Sequence, residues 1–208
     1  MATIKLNKTE LKTQKNLLAQ LSKYLPTLQL KKQQLQAEVE NSRNMAAEVE
    51  AEIARRKRFV AKWAAMLSQK TTLDIYQLVA VEEVLTETEN IAGVDVRVFK
   101  DVRFKPFEYS FFASPIWLDK AFEELRALVA EREKLRIVRE RFDVLSEELR
   151  QTSIKVNLFE KRKIPECKEN IKKISIFLGD QEIAAICNAK IAKDKLKRKD
   201  EQQFAEAV

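Results

Sequence analysis

Apolar residues recur at alternating spacings of three and four over roughly the first 70 residues. This spacing places them along one side of a long helix, and its period of 3.5 residues predicts a left-handed coiled coil. Asn7 and Glu10 have the spacing of a capping box at the start of this helix, and Pro26 is expected to kink it or loosen one turn. The seam residues expected to pack against a partner helix are Leu11, Leu18, Leu25, Val39, Ile53 and Val60.

A second helical pattern follows Ser114 and Pro115, which suit the N-cap and the first position of a helix. Pro165 interrupts this pattern, and the apolar stripe then resumes at Cys167. Gly179 suits the position that follows a helix C-terminus, so we expect one more helix after it. The expected seam residues of this arm are Leu135, Phe142, Leu149 and Val156.

The segment between the two arms has a different period. Apolar or β-branched residues alternate with charged ones on both sides of a short turn, which is the pattern of half-buried strands. The pattern predicts a β-hairpin, and a lone hairpin is only marginally stable in water, so we expect it to contact another element. A plain bridge between the arms is the alternative, although a short loop would need fewer residues. The residues expected in the hairpin and its partner contact are Thr86, Thr88, Asn90, Gly93, Val94 and Val96.

Together these patterns predict an all-α protein, a long antiparallel two-helix coiled coil with a small β-hairpin insertion in the middle. We expect residues 1–70 to form the N-terminal long helix, residues 71–114 the middle region with the hairpin, and residues 115–208 the C-terminal helix. The second arm is the longer one, so its basic last part, about 20 residues, is expected to extend beyond its partner as a single helix.

The composition supports long helices and argues against a self-contained active site. The chain has 208 residues with two glycines and no histidine, and 34% of its residues are charged. Histidine-dependent catalysis, glycine-rich phosphate loops and a structural zinc site are therefore not expected. We expect a protein that is not an enzyme and that binds no cofactor or metal.

The charge and the remaining signals bear on partners and compartment. The net charge of +7 favours acidic partners, but acidic and basic residues are interleaved, which is typical of solvated helix faces. The two cysteines lie on helices about 30 Å apart along the chain, too far for a disulfide, which indicates a reducing compartment. We found no signal peptide and no apolar run near 18 residues, so no direct membrane insertion is expected.

Three stretches carry a resemblance to a known family. They are "LNKTEL" at the start, "ENIAGVDV" in the middle, and "KVNLFEKRKIPECKENIKKISIFLGDQE" from Lys155 to Glu182. With these, the chain resembles the D subunits of V-type (vacuolar or archaeal-type) rotary ATPases over nearly its whole length. The residues of the C-terminal block that carry the match most specifically include Asn157, Glu160, Ile164 and Pro165.

The resemblance implies a central stalk, the rotor shaft that transmits torque between a catalytic ring and a proton- or sodium-translocating membrane rotor. It implies that the A and B subunits of that ring, the F subunit of the stalk and a membrane-rotor adaptor subunit (C or d) are partners. It also implies that ATP is hydrolysed or made on the ring and not on this chain, and that the protein is cytoplasmic and peripheral to the membrane. The hairpin then becomes a contact to the ring or to the F subunit.

Three other interpretations stay open. The shaft of the F-type enzyme normally carries a glycine-rich globular middle, which this chain lacks. A nucleic-acid or membrane-surface binder would use the basic clusters at residues 55–58 and 193–199, but no aromatic residues are interleaved there for base stacking. A coiled-coil scaffold or a holdase-type chaperone is distinguished by self-association or by binding many clients.

Overall fold

A computed structural model describes residues 5–65, 77, 79–107 and 117–206, the last eight of these by their backbone alone. The described elements are helix α1 (Lys8–Ala61), strands β1 (Val81–Ile91) and β2 (Val94–Phe104), helix α2 (Leu118–Leu158), a π-helical turn (Phe159–Lys163) and helix α3 (Ile164–Glu206). The expected fold class, two long helical arms with a β-hairpin inserted between them, is confirmed.

Helix α1 begins at the predicted cap. The side-chain oxygen of Asn7 accepts a hydrogen bond from the Glu10 N–H at 2.7 Å. The predicted reciprocal hydrogen bond of the capping box, from the Asn7 N–H to Glu10, is wrong, because the Glu10 carboxylate accepts a hydrogen bond from the Gln14 amide at 2.8 Å instead. The helix continues through Pro26, and the kink expected there stays a prediction.

Regular α1 ends at Ala61. The N–H groups of Lys62 and Trp63 bond to carbonyls three residues back, which tightens the last turn. The part of the predicted arm from residue 66 to residue 70 lies outside the described residues. So do Ser114 and Pro115, the predicted start of the second arm; α2 is regular from Leu118 onward.

The second arm changes its helical period in front of Pro165. The N–H of Ile164 bonds to the carbonyl of Phe159, five residues back, at the end of the π-helical turn. Proline in a regular helix clashes with the carbonyl four residues earlier, and a wider turn relieves that clash. Gly179 lies inside α3, so the prediction that it ends a helix and that one more helix follows it is wrong. Glycine weakens a helix interior by only about 1 kcal/mol, and the helix-forming residues around it outweigh that cost.

The hairpin pairs β1 with β2 in antiparallel register, from Ile91 opposite Val94 outward. Ala92 and Gly93 have φ angles of 51° and 79°, and positive φ at both positions is what a two-residue type I′ turn requires. The side-chain oxygen of Asn90 accepts the Gly93 N–H at 3.1 Å, which holds the turn closed. Two register shifts, one next to Thr86, interrupt the pairing farther from the turn.

The chain divides into two compact units. One unit comprises residues 30–153, that is, most of α1, the hairpin and most of α2. In it α1 and α2 run antiparallel: Lys31 pairs with Glu148, Glu38 with Arg141 and Arg56 with Glu124, so the numbers rise in one helix as they fall in the other.

The other unit comprises residues 1–29 and 154–208. Its most buried described side chains are Leu21, Val156, Cys167, Asn170 and Ile174. Burial raises the pKa of the Cys167 thiol, so this cysteine stays a neutral packing residue. Lys8 near the start of α1 pairs with Glu182 of α3 at 3.4 Å.

The seam residues predicted from the spacing all lie on sheltered helix positions. Ile53 and Val156 are buried, and the half-buried members are Leu11, Leu18, Leu25, Val39, Val60, Leu135, Phe142 and Leu149. The spacing did not single out Ile137, which is buried beside Val138, or Asn170. Polar residues also enter the seam, and Ser42 is fully buried with a hydroxyl that has no hydrogen-bond partner among the described residues.

Candidate functional site

The turn end of the hairpin packs onto both helices of its unit. Val96 of β2 is 2% exposed and forms one cluster with Leu35 of α1 and Leu145 of α2, each 0% exposed. Around this cluster the half-buried apolar residues are Val39, Ile91, Ala92, Val94 and Leu149. The marginal stability of a lone hairpin is thus offset by burial of one apolar face against the helix pair.

Two neighbouring residues of α2 with opposite charge hold the hairpin by ion pairs. Arg97 of β2 donates to Glu140 at 2.8 Å. Arg141 contacts Glu89 of β1 at 3.9 Å, and it also donates to Glu38 of α1 at 2.9 Å. The Arg141 side chain is only 10% exposed, so this guanidinium joins α1, α2 and the hairpin from a sheltered position.

The other face of the hairpin is polar and exposed. Four predicted contact residues, Thr86, Thr88, Asn90 and Gly93, are exposed, while Val94 and Val96 face the helices. A cross-strand ion pair between Lys100 and Glu87 at 2.8 Å lies within the hairpin itself. The exposed face is therefore the part of the hairpin that another protein chain can reach.

The open end of the hairpin is fixed by an arginine of α2. The Arg126 guanidinium lies 3.9 Å from the centre of the Phe122 ring and 4.8 Å from the centre of the Phe104 ring. It also donates to the Lys105 carbonyl at 3.0 Å. These cation–π contacts and the hydrogen bond tie the end of β2 to the start of α2.

A cleft of about 690 Å³ runs along α2 in the same unit. Its floor is apolar, with Ile53, Leu128 and Leu135, and its walls are mostly basic. Its charged lining residues are Lys57, Arg132, Arg136, Arg139, Glu140 and Asp143. Arg136 donates to Glu133 at 2.8 Å and to Glu140 at 2.9 Å, and the hydrogen bond to Glu133 is the first cause of its raised pKa.

The last part of α3 is exposed on every side. Each residue from 181 to 198 is exposed, although four of them are large aliphatic residues. These are Ile183, Ile186, Ile191 and Leu196, with exposed fractions from 54% to 68%. Lys190, Lys193, Lys195 and Lys197 lie around the last two of them, so this segment presents both apolar and cationic groups.

The sequence profile of the family described as the D subunit of ATP synthase matches residues 10–194. The chain belongs to this family of ATP synthase D subunits. The D subunit of the V-type ATP synthase of Borreliella burgdorferi is 39% identical over 96% of this chain and 98% of that protein. Proteins of the same description from Chlamydia pneumoniae and Chlamydia felis are 38% and 40% identical, over 93% and 97% of this chain and 93% and 98% of theirs.

The C-terminal block that carried the family resemblance surrounds the π-helical turn. Glu160 lies in the turn, Ile164 follows it half-buried, and Asn157 and Pro165 are exposed. The block therefore marks the place where the second arm changes its helical period. The sequence predicted an interruption at Pro165 but not the π-helical form that it takes.

The described part of the chain offers no metal site and no membrane span. No three histidine, cysteine, aspartate or glutamate residues lie close enough there to hold a metal ion. No described helix is both long and apolar enough to cross a bilayer. The described residues do present three accessible surfaces, namely the hairpin face, the α2 cleft and the end of α3.

Proposed function

We propose that this chain is the central rotor shaft of a V-type rotary ATPase. Its task is to transmit torque between the ring of A and B subunits and the rotor in the membrane, whose coupling ion is a proton or sodium. Membership of the D-subunit family over residues 10–194 carries this proposal. The chain itself is not catalytic, and it acts on the cytoplasmic side as a peripheral part of the complex.

The physical properties of the arms suit a part that must turn without shearing. Helix α1 has 54 residues, a length of about 80 Å at ~1.5 Å per residue. Ion pairs between α1 and α2, such as the sheltered pair of Arg141 with Glu38 at 2.9 Å, join the helices across the seam. They resist sliding of one helix along the other, which a load along the helices would otherwise produce.

The exposed surfaces support the proposed partners. We assign the exposed apolar and cationic end of α3 to the A and B subunits, because its isoleucines need cover and its lysines need acidic neighbours. The cleft on α2, with its apolar floor and basic walls, is our candidate contact for the F subunit of the stalk or the adaptor subunit (C or d). Nucleic acid is not among the proposed partners.

The hairpin is proposed to couple the shaft to the ring or to the F subunit. Its inner face is used to dock on α1 and α2, and its exposed residues Thr86, Thr88 and Asn90 lie where a neighbour can reach them. Deletion of residues 86–98 should lower ATP turnover or its coupling to rotation while both arms stay helical. Unchanged turnover in the deletion variant would remove the hairpin from the mechanism.

The test of the shaft itself is reconstitution with a ring of A and B subunits, with and without the F subunit. One copy of this chain per ring in size-exclusion chromatography, together with altered ATP hydrolysis, is the expected result. A chain that elutes apart from the ring, as an oligomer of its own, would refute the shaft and favour a coiled-coil scaffold. A variant with Ile183 and Ile186 changed to serine should bind the ring more weakly.

A further inference from the structure

Two ion pairs join the hairpin to α2, and the acid lies on the helix in one pair and on the hairpin in the other. Glu140 and Arg141 are adjacent in α2, and they pair with Arg97 of β2 and Glu89 of β1 respectively. Glu89 lies opposite Val96 in the strand register and Arg97 follows Val96, so the two charged residues of the hairpin lie on different strands, one register position apart. An acid and a base on the helix thus face a base and an acid on the hairpin.

The apolar contact alone does not fix where the hairpin lies along the helices. Val96 packs against Leu35 and Leu145, and similar leucines and valines recur at seam spacing along both arms. Burial of such side chains is favourable in proportion to area and has little directional preference. The apolar face therefore supplies adhesion, and the choice of one register needs another feature.

The charges distinguish the observed register from its neighbours. If the hairpin moved one helical turn toward the start of α2, Arg97 would face Arg136, a like charge, and Glu89 would face the apolar Ile137. One turn in the other direction, Arg97 and Glu89 would face Val144 and Leu145 and lose both partners. Among these three positions, only the observed one satisfies both pairs.

The two pairs contribute unequally. The side chains of Arg97 and Glu140 are 61% and 36% exposed, and an ion pair with this much exposure to water contributes little to stability. Arg141 is sheltered and keeps its bond to Glu38, so moving Glu89 away removes one of the two carboxylates that compensate its charge. Its Nε has no hydrogen-bond partner among the described residues, which leaves the two carboxylates as its compensation.

We propose that Glu140 and Arg141 are positioning residues that fix the hairpin in one register along α2. They thereby set where its exposed face meets a neighbouring chain of the complex. This last step rests on the proposed function of the hairpin. Glu140 is shared with Arg136 of the cleft, so the position of the hairpin also depends on a residue that lines the α2 cleft.

The test moves the acidic partner by one turn without changing the composition. In the full chain, Arg136→Glu with Glu140→Arg keeps the net charge and an ion pair four residues apart, but places the carboxylate at position 136. The matched control is Glu147→Arg with Arg150→Glu, which reverses an ion pair formed within α2 itself. Spin labels at Thr88→Cys and Gln36→Cys, both exposed, report the distance from the hairpin to α1 after Cys167 and Cys187 are changed to alanine.

In double electron–electron resonance, the swapped variant and Arg141→Gln should shift or broaden the distance distribution by several ångström, up to about one helical turn of 5.4 Å. The control swap should leave it unchanged. A hairpin-only variant, Glu89→Gln with Arg97→Gln, should broaden it as well and does not depend on whether the helix variants fold. An unchanged distribution in that variant, or in the other two with their helices intact by circular dichroism, would overturn the proposal.

ATP turnover of the reconstituted complex separates this inference from the proposed function. If deletion of residues 86–98 leaves turnover unchanged, the hairpin has no coupling role even when Glu140 and Arg141 position it. If the deletion lowers turnover but a hairpin displaced by the charge swap supports full turnover, the functional part of the positioning proposal is wrong. We expect ATP turnover to fall in the deletion variant and in the charge-swap variant, and to stay at the level of the unmodified chain in the control swap.

Discussion

The π-helical turn in front of Pro165 leads to a prediction about which residues of α3 lie in the seam. Upstream, Val156 is buried and Phe159 half-buried, and a continued spacing of three and four would put residues 163, 166, 173 and 177 in the seam. These four are exposed, and the sheltered residues are Ile164, Cys167, Ile174 and Leu178, each one position later. Asn170, which fits the uninterrupted spacing, is also buried. A π-helical turn holds one residue more than the α-helix, which supplies this shift.

If this is correct, the extra residue can be removed without moving the seam. Deletion of Lys161, which is exposed, combined with Pro165→Ala should convert the turn into regular α-helix and leave Cys167 and Ile174 buried. The proline must be changed as well, because inside a regular helix it would cost about 3 kcal/mol. We expect the free energy of unfolding to change by no more than about 1 kcal/mol.

The control is deletion of Lys172, an exposed residue within regular α3. It rotates the following residues by about 100° around the helix and takes Ile174 and Leu178 out of the seam. Burial of each such side chain contributes about 1.5–3 kcal/mol, and Leu178 is only half-buried, so the loss should be about 3–4 kcal/mol. Each kcal/mol of lost stability lowers the thermal unfolding midpoint by ~2–4 °C, so the midpoint of this variant should fall by about 6–16 °C.

Thermal unfolding followed by circular dichroism at 222 nm compares the two deletions. The Lys161 variant with Pro165→Ala should stay within about 4 °C of the unmodified chain. Equal, large losses in both variants would show that the π-helical turn does not supply the phase shift. Equal, small losses would show that the seam of this unit carries little of the stability.

Four further changes test other parts of the molecule. Leu145→Ala, at the centre of the cluster under the hairpin, should lower the free energy of unfolding by about 3 kcal/mol in urea titrations, whereas Leu158→Ala, at 39% exposure, should cost under about 1 kcal/mol. Ser42→Ala should be neutral or stabilising by about 1 kcal/mol in the same titrations, because it removes a buried hydroxyl without a partner; a loss above that would mean the hydroxyl is satisfied. Gly93→Ala should destabilise the hairpin by about 1 kcal/mol because of its φ of 79° and not because of a clash, and Gly93→Asn should cost less; hydrogen exchange in β1 and β2 measures both. The pKa of Glu147 is lowered to about 2, first by its hydrogen bond from Arg150. That bond therefore stabilises the fold at pH values above the ordinary carboxylate range, and this stabilisation is lost as the pH falls toward 2. Arg150→Gln should raise the pKa of Glu147 in carboxyl NMR titrations, and an unchanged pKa would contradict the assignment.

The spacing of apolar residues predicted the helical arms because burial along a seam repeats locally in the sequence. Leu35, Leu145 and Ile174 each lie at a position that their near neighbours already define. The hairpin was predictable for the same reason, since Asn90 and Gly93 mark a turn between two strands of period two. Gly179 misled because a glycine that ends one helix and a glycine tolerated inside another look alike in sequence.

The docking contacts could not be predicted in this way. Arg97 and Glu140 are 43 residues apart in the chain, and Arg141 and Glu38 are 103 apart. In a chain in which 34% of residues are charged, the sequence offers many equivalent partners for each of these groups. Only the fold selects among them, because it brings one face of the hairpin onto one side of the helix pair.

The composition of the exposed end of α3 indicates what kind of partner surface could cover it. Ile183, Ile186, Ile191 and Leu196 are 54–68% exposed, so covering them would together contribute about 4–7 kcal/mol. Association itself costs about 4–15 kcal/mol, so apolar contact alone leaves little net affinity. The lysines between these residues must therefore meet acidic groups of the partner for the segment to bind. A ring surface that is apolar and acidic fits this requirement, whereas a purely apolar surface would leave those lysines unpaired.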